Sequence, residues 1–247
     1  MSRGAPASDA LPSVPLRTPA SPSSSLLSDD TRSRILAVAT TAFAERGIEN
    51  VTLRELTALA GANVAAINYH FGSKEGLTEA IFEELAPRLN AVRMQELAQI
   101  LDAAARAGVR PAVADIVASF ARPYFAPEHA QDGGLLAQLV LKHRLAPSAM
   151  TQRVIARHFD PMAQQYIRAF ALACPDVAPV EFAWRYMFMA GAVVLAATDR
   201  RQSNRITTLS EGRLHPADGG ALLAALTRFV EGGLRHPEPA APAGPAP

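Results

Sequence analysis

An all-α fold in two parts is predicted: a small N-terminal three-helix unit containing a helix-turn-helix, then a larger C-terminal helical body. Three observations predict it. Residues 47–79, GIENVTLRELTALAGANVAAINYHFGSKEGLTE, carry the start and stop chemistry of two short helices joined by a tight turn and run into a third. Apolar residues recur three and four apart through most of the chain, and the body shows no convincing alternation of apolar and polar residues. Prolines and glycines punctuate the periodic stretches.

The elements follow in chain order. Asp29 or Asp30 can cap a first helix with Ile35, Leu36, Ala39, Ala42 and Phe43 at helical spacing, closed by Gly47. Thr52 and Glu55 form the T-x-x-E pattern of a capping box, in which hydroxyl and carboxylate each satisfy an orphan backbone N–H. A second helix therefore starts at Leu53, with Leu56, Leu59 and Ala60 as its apolar stripe and Gly61 at the turn, where φ > 0 suits glycine. Asn63 can cap a third helix, Val64 to His70, with Ile67 and Phe71 inward and Ala65, Ala66, Asn68 and Tyr69 outward. Small residues beside one amide and one phenol make a thin helix that fits a DNA major groove, and Asn pairs well with adenine. Ser73 can cap the next helix, which places Lys74 in its first turn. A cation is unfavourable there unless a phosphate joins it, and backbone N–H groups with an ammonium make a ready anion site. The chain has only two lysines, Lys74 and Lys142.

TRSRILAVATTAFAERG followed by VTLRELTALAGANVAAINYHFGSKEGL resembles, nearly residue for residue, the N-terminal domain of the TetR family of dimeric bacterial transcriptional repressors. The resemblance covers residues 31 to about 80. Thr57 departs from the alanine more common there, and its hydroxyl can bond back to its own helix. The resemblance implies an N-terminal helix-turn-helix DNA-binding domain plus a C-terminal helical ligand-binding and dimerisation domain. It also implies a DNA-binding set that includes Thr52, with Arg54, Tyr69, His70 and Lys74 at phosphates while Val64, Ala65, Ala66 and Asn68 face bases. For His70, capping or packing at the helix end is an equal alternative.

The expected layout is an arm at 1–28, the DNA-binding domain at 29–79, the effector and dimerisation body at 80–235 and a tail at 236–247. Arm and tail, rich in Ser, Pro and Ala, are expected to be disordered, and the arm has no signal-peptide core. Arg3 and Arg17 can reach a minor groove, although a solvated arm is the simpler reading. Residues 29–79 hold five Arg or Lys against seven Asp or Glu, so any positive face must come from arrangement. The single Cys174 excludes an internal disulfide, fits a cytoplasmic location and reads as a small apolar filler.

In the body, helical spacing runs through Leu77, Ile81, Leu85, Leu89 and Val92, with Pro87 expected to kink or break the helix. Pro111 opens another helix, Gly133 and Gly134 precede one over 135–145, and a further one is bent at Pro161. EFAWRYMFMAGAVVLAAT is too interrupted by Glu181 and Arg185 to span a membrane, and reads as a helix buried on nearly all sides. Phe182, Trp184 and Phe188 are expected to face the core, with Ala190 and Gly191 against a neighbouring helix. By resemblance, this helix and a last one over about 217–234 form the homodimer seam, and the dimer reads a near-palindromic double-stranded operator.

Phe120, Tyr124, His158, Tyr166, Trp184, Arg185 and Phe188 are candidates for lining an apolar effector cavity, with core packing the alternative for each. Arg185 can anchor an acidic group or pair with Glu181 one turn earlier. FARPYF, ARHFDPMAQQYIRAF and EFAWRYMFMAGAVVLAAT are more weakly similar to a TetR subgroup that answers to long-chain fatty acids or their coenzyme A esters. The chain lacks G-x-S-x-G, P-loop, G-x-G-x-x-G and H-E-x-x-H motifs, and its six histidines show no metal-like pairing. No catalysis, metal or cofactor is therefore expected. The function expected is a ligand-responsive repressor released by a small apolar effector; the alternative is an architectural or protein-binding factor with no effector.

Overall fold

The computed structural model describes residues 22–202, 205–215 and 217–236, and the regular elements among them are all helical. The head comprises α1 (Pro22–Arg46), α2 (Leu53–Ala60), α3 (Val64–Phe71) and the start of α4 (Lys74–Ala107). Its core is Ile35, Phe43, Leu56, Ile67, Leu77 and Ile81, each fully buried. The helix α1 begins upstream of Asp29 and Asp30, so neither caps it; Asp30 instead pairs with Arg34 at 3.1 Å. The remaining expected arm and tail residues, 1–21 and 237–247, lie outside the described residues.

The other head helices start and stop where the sequence chemistry puts them. Thr52 and Glu55 make both bonds of the capping box, Gly61 turns with φ 56°, Asn63 accepts from the Ala66 N–H, and Ser73 accepts from that of Gly76. The Thr57 hydroxyl donates back to the Arg54 carbonyl at 2.8 Å. Leu59 departs from its expected place in the stripe: α2 meets α1 and α3 through Leu56 and Ala60, which leaves Leu59 61% exposed.

The 34 residues of α4 make a rod about 50 Å long that joins head to body. It is continuous through Pro87, so of the expected kink or break the break does not occur. Proline forfeits one backbone bond, but Leu85, Ala86, Leu89 and Asn90 are buried on both sides of it and hold the helix in register. The body packs α5 (Val113–Phe125), α6 (Ala130–Leu145), α8 (Asp160–Ala173), α9 (Glu181–Gln202) and α11 (Gly219–Arg235) around Phe120, Phe125, Tyr166, Phe170 and Phe182. Short α7 (Ala149–Val154) passes into α8 through a wide π turn at Ile155–Phe159, and α10 (Arg205–Leu209) lies between α9 and α11.

Two expectations for the body are corrected. Gly133 and Gly134 lie inside α6 rather than before it, because α6 crosses α5 so closely that a Cβ on Gly133 would stand 2.1 Å from the Pro123 carbonyl oxygen. On α9, Phe182, Tyr186, Met189 and Val193 face the core, whereas Trp184 and Phe188 are 64% and 69% exposed and stack on each other at 6.2 Å. They form an outward stripe with Gly191 and Leu195, and α11 adds exposed Phe229. Head and body also touch beside α4, through Lys142 to Glu49 at 3.0 Å and the Ser148 hydroxyl to Glu79. No helix among the described residues is long and apolar enough to cross a membrane.

Candidate nucleic-acid interface and effector cleft

The outer face of α3 is built by subtraction. Ile67 is fully buried and Phe71 rests on the head core beneath the Arg32 guanidinium, 5.3 Å from its ring centroid. That leaves Val64, Ala65, Asn68 and Tyr69 exposed and Ala66 half-buried, with Tyr69 at 81%. The half-buried His70 ring sits edge-on to Tyr69 at 5.0 Å, so its packing is explicit.

Charge around α3 is sorted by pairing. Arg34 is held by Asp30 and by the Ala60 carbonyl, and Arg46 by Glu55 at 3.2 Å. Arg54 and Lys74 form no carboxylate pair among the described residues; Lys74 lies half-buried, its ammonium 5.9 Å from the Phe43 ring centroid. The Thr52 hydroxyl donates to the Glu55 carboxylate at 2.8 Å, so its proton serves the cap rather than a phosphate. The Glu55 carboxyl is held below its ordinary value, first by the Thr52 backbone N–H and then by that hydroxyl. Sequence reasoning passed over Gly76, on which a Cβ would stand 2.0 Å from the Phe71 carbonyl oxygen, so this glycine sets how closely α3 sits against α4.

A cleft of about 450 Å³ opens in the body between α5, α6, α8 and α9. Of the seven expected effector residues, Phe120 and Tyr124 line it. Tyr166 stands behind them, its ring 5.2 Å from Phe120 and its hydroxyl bonded to Ser119 and to the Arg93 carbonyl. The others lie elsewhere. His158 faces Glu83 at 3.2 Å beside Pro87, Trp184 and Phe188 are on the outer stripe, and Arg185 donates to the Leu234 carbonyl at 2.7 Å rather than pairing with Glu181. Tyr186, Met187, Phe159 and Ile167 add largely apolar lining, and His143, Arg144 and Asp160 add polar and charged groups. Tyr186 and Met187 were hidden in sequence because α9, apolar all round, does not declare which side is hollow.

Two family models cover the chain's two parts. Residues 35–81 match the model described as bacterial regulatory proteins, tetR family, and residues 118–233 match the tetracyclin repressor-like C-terminal domain. The chain belongs to the TetR family of transcriptional regulators. Over 65 residues it is 40% identical to the HTH-type transcriptional dual regulator CecR of Shigella flexneri, a stretch that spans 26% of this chain and 29% of that relative. A bacterial regulatory protein in the tetR family from Rhodococcus RHA1 superposes with a TM-score of 0.55 at 18% identity, covering 81% of this chain and 96% of that one. The fatty acid degradation regulator FadR from Bacillus halodurans gives 0.54 at 15%, covering 83% and 97%. The TetR fold thus extends over head and body together.

Proposed function

We propose that this chain is a cytoplasmic homodimeric repressor that reads a near-palindromic operator with α3 and leaves it when a small apolar effector enters the cleft beside Phe120 and Tyr124. The observation that carries the reading is the outer face of α3, where Val64, Ala65, Asn68 and Tyr69 are exposed around a fully buried Ile67, flanked by Arg54 and Lys74, which form no carboxylate pair among the described residues. Asn68 and the small residues read base edges; Arg54, Tyr69, His70 and Lys74 hold phosphates. Thr52 contributes by fixing the start of α2. The stripe of Trp184, Phe188 and Leu195 with Phe229 supports a seam with a second copy, which sets two reading heads about one DNA turn, roughly 34 Å, apart. Long-chain fatty acids or their coenzyme A esters are the effectors favoured by the resemblance of residues 120–125, 156–170 and 181–198, and the largely apolar lining of the cleft suits an acyl chain.

The test is binding of purified protein to duplexes of varied sequence. Tyr69→Phe and Lys74→Ala should weaken binding to all of them, whereas Asn68→Ala should change which sequences are preferred. An equal loss at every sequence for Asn68→Ala removes Asn68 as a reader.

A further inference from the structure

Two tyrosine hydroxyls at the cleft are left without a partner. Tyr124, in the last turn of α5, and Tyr186, on α9, are 2% and 8% exposed, and both line the cleft of about 450 Å³. Buried tyrosine hydroxyls ordinarily find a hydrogen bond. Neither of these does so among the described residues, whereas Tyr166 behind them bonds to Ser119 and to the Arg93 carbonyl. Among the described residues, the side-chain polar atoms both sealed from solvent and unpartnered are Arg93 Nη2 and Thr227 Oγ1. The two phenol oxygens are therefore open rather than sealed, and the space their residues line is the cleft. Their rings flank Phe120, with centroids 6.5 Å and 5.7 Å from its own.

The other polar groups of the lining limit what can meet these hydroxyls. His143 is half-buried with its Nδ1 2.8 Å from Thr151 Oγ1. Burial, and after it the neighbouring Arg144, holds His143 below its ordinary 6.5, so it is uncharged at neutral pH. Burial pushes the Tyr186 phenol well up, and it too stays uncharged. Arg144 and Asp160 bring one charge of each sign, but both are exposed, so their charges remain in water at the mouth. The buried part of the lining thus offers neutral donors among apolar walls. An ionised carboxylate would give up its hydration there for neutral hydrogen bonds alone, which is costly. A carbonyl oxygen carries no charge and has two lone pairs, one for each hydroxyl. We propose that the cleft takes uncharged carbonyl compounds with an apolar body, the carbonyl oxygen accepting from the Tyr124 and Tyr186 hydroxyls. This rests on the effector reading of the cleft and narrows it: a coenzyme A thioester presents such a carbonyl, and an ionised fatty acid does not.

The experiment is equilibrium dialysis of the full-length protein against benzophenone, diphenylmethane and diphenylacetate, with DNA affinity measured on the same samples. The three probes share a pair of phenyl rings and differ in carrying a carbonyl, no polar group or a carboxylate. Benzophenone is expected to bind roughly 10- to 100-fold tighter than diphenylmethane, the worth of two hydrogen bonds, and tighter than diphenylacetate. Tyr124→Phe and Tyr186→Phe each remove only an unpartnered hydroxyl, so both should fold with an undiminished melting temperature. Each should lose roughly 2- to 10-fold in benzophenone affinity and leave that for diphenylmethane unchanged. Tyr166→Phe, whose hydroxyl is already bonded, should keep the preference for benzophenone. Equal binding of ketone and hydrocarbon by the parent protein overturns the inference. So do a preference surviving when both tyrosines are replaced, a preference for the carboxylate, or no binding of any of the three by protein that still binds DNA. Should the double variant not fold, the single ones decide, and full benzophenone affinity in both overturns the inference. Benzophenone bound through the two hydroxyls with no change in DNA affinity leaves the site standing and removes the effector reading instead.

Discussion

At the scale of single residues, the head depends on groups whose hydrogen-bonding capacity is spent on the fold and others whose capacity is left over. Thr52 and Glu55 are of the first kind, and Thr52→Ala should lower stability by about 1 kcal/mol, the usual worth of a cap, in a urea titration. Glu55 adds a pH dependence. Its folded value lies below the ordinary 4.5, so its contribution is fully present above that value and is lost as pH falls through the lower folded one. Protection of the Thr52 amide against hydrogen exchange should therefore disappear in that acid window in the parent protein, and a Glu55→Gln variant should lack the step. Asn68, Tyr69 and Lys74 are of the second kind. Lys74→Ala should reduce the dependence of log affinity on log salt by about one unit, as expected for one lost phosphate contact. The caps of α2, α3 and α4 were legible in sequence because each is a local bond between residues three apart. Leu59 was not, since an eight-residue helix leaves two apolar lines to choose from and its neighbours decide.

At the scale of elements, close crossings govern where the helices sit. A Cβ at Gly76 would meet the Phe71 carbonyl and one at Gly133 the Pro123 carbonyl, and in both cases the obstacle is backbone. Gly133→Ala should destabilise the protein by about 1–3 kcal/mol, the usual cost of overpacking, in denaturant unfolding. Gly76→Ala should leave the helix content unchanged while weakening DNA binding at least about tenfold, because it moves α3 off α4; unaltered affinity would show that the spacing of these helices is not critical. Neither crossing is written in the local sequence. Gly133 reads there as preceding a helix and Pro87 as a kink or break, and only the packing on both sides keeps α6 and α4 continuous through them.

At the scale of the whole molecule, the head is more legible than the body. Its end chemistry and binding face occupy one contiguous stretch, whereas the cleft draws on α5, α6, α8 and α9. Sequence showed that α9 is apolar all round but misplaced Trp184 and Phe188, which lie on its exposed side rather than in the core. Trp184→Arg with Phe229→Arg should give a monomer by light scattering, with DNA affinity falling accordingly; a dimer that survives both would place the seam elsewhere. The central claim, that α3 of a dimer reads a specific operator, is tested most directly by selecting bound sequences from a random duplex pool with the full-length protein. A near-palindrome with half-sites about one turn apart is the predicted outcome. Recovery of no enriched sequence would contradict it.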